Sequence, residues 1–226
     1  MTKTFVKEFF VSIQGEGPYV GYKQLFIRFC RCNLNCNYCD TEFLASTGAK
    51  EYSAQELFDA ISALDLTGIH SISLTGGEPL LETEFLKEFL PLARRLGKIY
   101  LETNATLPKQ FKEIKDLVDI VSADIKLESA TGIKDLARRH DEFFAACGGK
   151  DAYTKIVFDP NITDEEIAET AALAKKHGLE LVLSPMMIGH KMSVTPEFLT
   201  AVHNKYLKHY ERTRVIPQVH KFLNLE

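Results

Sequence analysis

The sequence predicts an α/β fold made of repeated strand–helix units that form a partial (β/α) barrel, with a hairpin-like extension at its N-terminus. Three observations carry this. Short runs rich in β-branched and aromatic residues alternate with longer runs of helical character. Helix ends are marked by capping boxes and glycines. Polar motifs fall just after strand-like runs, at the strand ends where the chemistry of barrel folds collects.

In chain order, strands are expected at Phe5–Ser12, Gln24–Cys30, His70–Leu74, Lys98–Thr103, Leu117–Ala123, Ala152–Phe158, Leu179–Leu183 and Arg212–Ile216. Helices are expected at Ala54–Leu64, Glu84–Leu96, Phe111–Lys115, Asp135–Ala146, Asp164–His177 and Pro196–His209. Ser53-Ala-Gln-Glu56 and Thr163-Asp-Glu-Glu166 read as capping boxes. Gly97 and Gly178 stand where helices end and suit the left-handed C′ position. The glycine-rich segment Gln14–Lys23 separates the first two strands and suits a hairpin. No linker, repeat or low-complexity run interrupts residues 1–226, so one domain is expected.

Composition narrows the function. With 27 Lys and Arg against 31 Asp and Glu, the net charge is −4, and no basic surplus points to nucleic acid. No apolar run reaches the roughly 18 residues that span a bilayer, and no basic run marks a membrane surface. The opening Met-Thr-Lys-Thr-Phe-Val-Lys-Glu is too charged for a signal peptide, so a soluble cytoplasmic protein is expected.

Four of the five cysteines (Cys30, Cys32, Cys36, Cys39, Cys147) crowd into ten residues, a pattern for metal rather than disulfides. Cys32, Cys36 and Cys39 are spaced C-x3-C-x2-C. Three thiolates on one loop can hold three irons of a [4Fe–4S] cubane and leave the fourth iron open to a ligand. Zinc prefers four ligands, and no second Cys/His set exists. Cys30 at a strand end reads as core, and Cys147 as a plain thiol.

The other polar motifs each have two readings. Thr75-Gly76-Gly77-Glu78-Pro79 is either a turn or a backbone that approaches a ligand closely. Glu102 and Asn104 suit a ribose or a carboxylate, or cap the next turn. Ser122, Asp124 and Lys126 close an apolar strand, either as a local ion pair or as ligand contacts. Arg28, amid Leu25, Phe26, Ile27 and Phe29, pairs with an internal carboxylate or waits for a ligand's.

The cysteine spacing, with Tyr38 before the last cysteine, and Thr75-Gly-Gly-Glu-Pro79 together resemble the radical S-adenosylmethionine (SAM) superfamily. This implies a barrel of the radical SAM type, with SAM chelating the open iron and one-electron reduction splitting it to methionine and a 5′-deoxyadenosyl radical. Tyr38, Asp40, Gly76, Gly77, Glu78, Glu102, Asn104, Ser122, Asp124 and Lys126 become the implied cofactor-binding residues, Gly76–Glu78 at the SAM amino group.

Further segments resemble the 7-carboxy-7-deazaguanine synthase family: Ser12-Ile-Gln-Gly-Glu-Gly-Pro18, Phe26-Ile-Arg-Phe29, Cys39-Asp-Thr41 and Val215-Ile-Pro-Gln-Val-His-Lys-Phe-Leu223. The family's substrate is 6-carboxy-5,6,7,8-tetrahydropterin, and its products are 7-carboxy-7-deazaguanine and ammonia. The implied reaction takes hydrogen from C6, contracts the ring and returns hydrogen, so that SAM is regenerated. Ile13, Gln14, Gly15, Glu16, Arg28, Thr75, Gln218 and His220 are the implied substrate contacts, with Gln218 and His220 alternating along an extended tail. Thr41 becomes the implied Mg²⁺ ligand. A homodimer and a flavodoxin- or ferredoxin-type electron donor are also implied. Two departures stand out: the family's Ser-Pro-Lys is Ser122-Ala-Asp-Ile-Lys126 here, and its Gln-Pro is Ser184-Pro185. Asp124-Ile-Lys126 also resembles radical SAM enzymes that activate glycyl-radical proteins, which is the alternative reading.

Overall fold

The computed structural model describes residues 2–37, 39 and 48–225. Tyr38, Asp40 and Thr41 lie outside the described residues. The strands are β1 (Lys3–Ile13), β2 (Lys23–Phe29), β3 (Lys50–Ser53), β4 (Ser71–Gly76), β5 (Lys98–Thr103), β6 (Ile120–Ile125), β7 (Asp151–Phe158), β8 (Glu180–Pro185), β9 (Met187–Ile188), β10 (Lys191–Met192) and β11 (Thr213–Val215). The helices are α1 (Ala54–Ser62), α2 (Thr83–Ala93), α3 (Pro108–Ile114), α4 (Glu128–Thr131), α5 (Ala137–Ala146), α6 (Asp164–His177), α7 (Pro196–His209) and α8 (Val219–Leu223).

Among the described residues one sheet has the order β11-β8-β7-β6-β5-β4-β2-β1-β3. From β2 to β11 every pairing is parallel, while β1 runs antiparallel to β2 and to β3. The ends of this order do not pair with each other, so the barrel is partial, with β1 added antiparallel to β2 as its hairpin extension.

Strand alternation divides the sheet into two faces. One face carries Leu25, Ile27, Phe29, Ile72, Leu74, Ile99, Leu101, Ile156, Phe158, Leu181 and Leu183, all buried against the helices in one core. Each such side chain contributes about 1.5–3 kcal/mol on burial. The other face is unlike a core at its C-terminal end, where Arg28, Thr75, Glu102, Asp124 and Lys155 line a cavity. At its N-terminal end Tyr100, Ile120, Tyr153 and Val182 pack with Tyr19 and Ile216 into a small second core that plugs the barrel floor.

Both capping boxes form, Ser53 with Glu56 and Thr163 with Glu166. Gly178 takes the left-handed C′ position (φ 64°). Gly97 does not: α2 ends earlier, at Ala93, and the chain continues through turns closed by Arg95 N–H to Leu92 O and Leu96 N–H to Ala93 O. The sixth strand begins three residues late, since Lys115–Leu117 form a turn of 3₁₀-helix, and it runs on to Ile125 in register with Ile156. The tail expected to be extended is instead helical in α8. Its backbone doubles back: Val219 N–H donates to Gly15 O (2.9 Å) and Leu225 N–H to His220 O (3.0 Å), with Asn224 left-handed. No helix among the described residues is long and apolar enough to cross a membrane.

His140 of α5 is 2% exposed, and its Nε2 has no hydrogen-bond partner. Burial lowers its pKa from 6.5 to about 4, against a backbone hydrogen bond to Asn104 that raises it. The unfolded chain therefore takes up a proton near pH 6.5, and the folded chain only near pH 4. Stability should be full above pH 6.5 and fall by up to about 3 kcal/mol towards pH 4. The thermal midpoint measured against pH checks this, and His140→Phe should flatten the curve across that window.

Candidate active site

The cavity, about 460 Å³, opens at the C-terminal ends of the parallel strands. One wall is the cysteine loop that follows β2. Cys32 and Cys36 are half-buried and Cys39 is exposed, and all three line the cavity. Among the described residues no three His, Cys, Asp or Glu side chains converge on a single-ion site. Burial pushes the Cys32 and Cys36 thiols up, so binding metal must displace protons. Cys30 and Cys147 are buried (4% and 2% exposed) and outside this wall.

The glycine motif latches this loop to β4. Gly76 has φ +106°, and Gly77 N–H donates to Phe29 O at 3.1 Å. A Cβ on Gly77 would collide with the Arg31 carbonyl. Both glycines line the cavity, so their lack of side chains serves the loop and the ligand space alike. Glu78 lies outside the cavity wall. Its buried carboxylate accepts from Leu80 N–H (3.1 Å), Thr103 Oγ1 (2.8 Å) and Asn104 N–H (2.7 Å) and thereby ties β4 to β5. Burial raises its pKa to about 7, against those three hydrogen bonds. Asn104 lines the cavity, but its amide serves the cysteine loop, donating to Asn33 Oδ1 at 2.9 Å. Ser122 is buried one step deeper, outside the cavity wall, beside Tyr100 and Tyr153.

The opposite wall gathers residues far apart in sequence. Gln14 is 3% exposed; its Nε2 donates to Gln24 Oε1 (3.0 Å) and Glu102 Oε1 (2.9 Å), and its Oε1 accepts from Glu16 N–H (2.9 Å). Glu102 also accepts from Ser73 (3.2 Å) and Thr75 (2.8 Å), which groups it with Gln14 and Thr75. Glu16 accepts from Lys155 and, at 2.6 Å, from Gln218 Nε2. Burial would raise the Glu16 pKa, but Lys155, Gln218 and His220 outweigh it and hold the carboxyl at about 2. A Cβ on Gly15 would lie 2.5 Å from the His220 ring, so glycine lets the tail seat on this loop. Arg28 lines the cavity with its Nε on Glu8 Oε1 at 2.7 Å, so one edge of it is held by a carboxylate of the chain, although Glu8 is exposed rather than internal. Ile13 also lines the cavity.

Lys155 was not among the residues the motifs suggest. The signal was available, because a lysine inside Tyr153-Thr-Lys-Ile-Val157 is as anomalous as Asp124 in its own strand. Phe10, Met186, Met187, Lys221 and Leu225 also line the cavity, and ordinary residue types in ordinary runs gave no sign of it.

A barrel whose strand ends carry a three-cysteine loop beside a glycine latch and a polar cavity defines an iron–sulfur enzyme site. The family model of the radical SAM superfamily matches residues 26–200. Among similar proteins, the 7-carboxy-7-deazaguanine synthase of Geobacter sulfurreducens is 32% identical, covering 96% of each chain. That of Archaeoglobus fulgidus is 34% identical over 96% of this chain and 97% of its own, and that of Methanothermobacter thermautotrophicus 35% over 97% of each. The crystal structure of QueE from Escherichia coli shares the fold, with TM-score 0.64 over 96% of this chain and 95% of that one at 17% identity. Streptococcus suis SuiB bound to S-adenosylmethionine does so with TM-score 0.61 at 18% identity, over 83% of this chain and 48% of that one. The chain belongs to the radical SAM superfamily and, within it, to the 7-carboxy-7-deazaguanine synthase family of lyases. Membership carries a [4Fe–4S] cluster and SAM as cofactors. The glycyl-radical activase reading is not favoured.

Proposed function

We propose that the chain contracts 6-carboxy-5,6,7,8-tetrahydropterin to 7-carboxy-7-deazaguanine with loss of ammonia, in the cytoplasm, as a homodimer served by a flavodoxin- or ferredoxin-type donor. One observation carries the reading: a single cavity is lined both by Cys32, Cys36 and Cys39 and by Gln14, Glu16, Gln218 and His220. A ring held by the second group shares that cavity with the first. Cys32, Cys36 and Cys39 would hold the cluster, and the Gly76–Gly77 turn with Asp124 and Lys126 would border SAM. When bound, these cofactors supply the carbon radical. The protein's part is to bind, orient and shield.

Gln14 and Glu16 present amide and carboxylate groups to the pterin's hydrogen-bonding edge. Arg28, oriented by Glu8 through Nε, turns its Nη pair to the substrate carboxylate. The tail closes the wall through Gln218 and His220. Thr41, two residues beyond Cys39, would supply a neutral oxygen to Mg²⁺, a weak ligand on its own, so tight Mg²⁺ binding would need substrate and water oxygens as well. The test is product formation against Mg²⁺ concentration. Turnover should rise with Mg²⁺, Thr41→Ala should weaken that dependence, and Thr41→Ser should keep more activity than Thr41→Ala. A flat response in the wild-type enzyme would remove Mg²⁺ from the reading.

A further inference from the structure

Lys155 stands on the inner face of β7, 6% exposed, in the middle of the cavity wall. Its ammonium pairs with Glu16 Oε2 and lies 3.5 Å from Asp124 Oδ1. Asp124 sits directly opposite it in the β6–β7 register. Both carboxylates are held from a second side as well, Glu16 by Gln218 at 2.6 Å and Asp124 by Lys126 at 2.9 Å. Burial would lower the Lys155 pKa, but Asp124, Glu16 and Glu102 outweigh it and keep the ammonium charged.

Stability alone does not require such a residue. A buried ion pair loses hydration on both partners, and an apolar pair of similar volume is often as stable. Neighbouring inner-face positions on the same strand hold Tyr153 and Val157. What only a cation on β7 provides is one rigid joint between the loop that carries Glu16 and the strand end that carries Asp124.

We propose that Lys155 is a positioning residue for substrate: clamped between Glu16 and Asp124, it aims the Glu16 carboxylate at the donor edge of a pterin-type heterocycle and keeps that edge in register with the cofactor side of the cavity. Each carboxylate oxygen of Glu16 has a lone pair to spare beyond its present bond. The inference rests on the pterin reading above and adds a residue to it. The groups facing Glu16 are Lys155 from β7, Gln218 and His220 from the tail and Gln14 from its own loop, with Asp124 and Glu102 behind them.

The test is calorimetric binding of 6-carboxypterin, the oxidised and unreactive form of the ring, to the reconstituted enzyme with SAM, from about pH 5.5 to about pH 8.5. Wild-type Kd should show no titration from Glu16. Lys155→Met should weaken binding at least about 30-fold at neutral pH. It should also make Kd tighten as pH rises, because the carboxyl left without its cation then titrates in this range. Lys155→Arg should restore most of the affinity. Lys155→Met with Glu16→Gln, which leaves no orphaned carboxylate, should bind weakly with the pH dependence gone. Iron content and SAM cleavage without pterin should stay near wild type throughout. Normal Kd in Lys155→Met, or SAM cleavage falling in proportion to pterin binding, would overturn the assignment of Lys155. A pH dependence that persists in the double variant does not come from Glu16 and would overturn it too. Wild-type enzyme that ignores 6-carboxypterin would overturn the pterin reading and the Lys155 role together.

Discussion

Cys36→Ala is expected to lose the iron–sulfur cluster and with it all turnover, and Cys32→Ala and Cys39→Ala should do the same. Each removes one of three ligands, so the loss should exceed the ~10–100-fold that outer-shell changes cost metal sites. Cys30→Ala and Cys147→Ala should keep the cluster. Both thiols are buried away from the cavity, and burial pushes the Cys147 thiol up to about 12, far from thiolate at neutral pH. Iron per chain after anaerobic reconstitution checks all five. Cluster surviving in Cys36→Ala, or lost in Cys147→Ala, would contradict the ligand set.

Arg28→Ala should cost about 2–5 kcal/mol of substrate binding, roughly 30-fold or more in KM, if a buried carboxylate is left without its partner. SAM cleavage without substrate should be nearly unchanged, because the Arg28 guanidinium is held by Glu8 and lies over Phe10, and only its aliphatic Cγ packs beside Gly76. The split between the two assays is the informative readout. The Arg28–Glu8 pair is partly exposed (27% and 44%), so as a surface bridge it adds at most about 1 kcal/mol to stability. Equal loss in both assays would mean that Arg28 shapes the barrel instead of gripping the substrate.

The repeating strand–helix order was legible because the parallel strands are short runs rich in β-branched and aromatic residues, separated by longer runs of helical character. The fifth strand and the sixth and seventh helices fall where the periodicity puts them. The short elements were not legible. β3 is four residues of mixed polarity that exist by pairing with β1, and α8 is a five-residue helix of mixed polarity whose first residue docks on Gly15. These are long-range effects with no local signature.

The site was legible as a set of motifs but less so as a set of jobs. Glycines read as making room for a ligand also make room for the cysteine loop, through Gly77 and Arg31. Glu78 and Asn104 brace the strand ends against each other and against that loop. Glu102 belongs with Gln14 and Thr75, a pairing set by the loop after β1 reaching in beneath the cavity and invisible along 88 residues of chain. Asp124 and Lys126 stood out as charged residues at the end of an apolar strand, and the same rule applied to β7 would have found Lys155.

The central claim is that one cavity joins radical generation to contraction of a carboxylated pterin. Its most direct test is to incubate the reconstituted, reduced enzyme with SAM and 6-carboxy-5,6,7,8-tetrahydropterin under anaerobic conditions and follow both compounds by mass spectrometry. The expected result is 7-carboxy-7-deazaguanine formed with release of ammonia while SAM is not depleted. Steady conversion of SAM to 5′-deoxyadenosine with no deazaguanine product would contradict it.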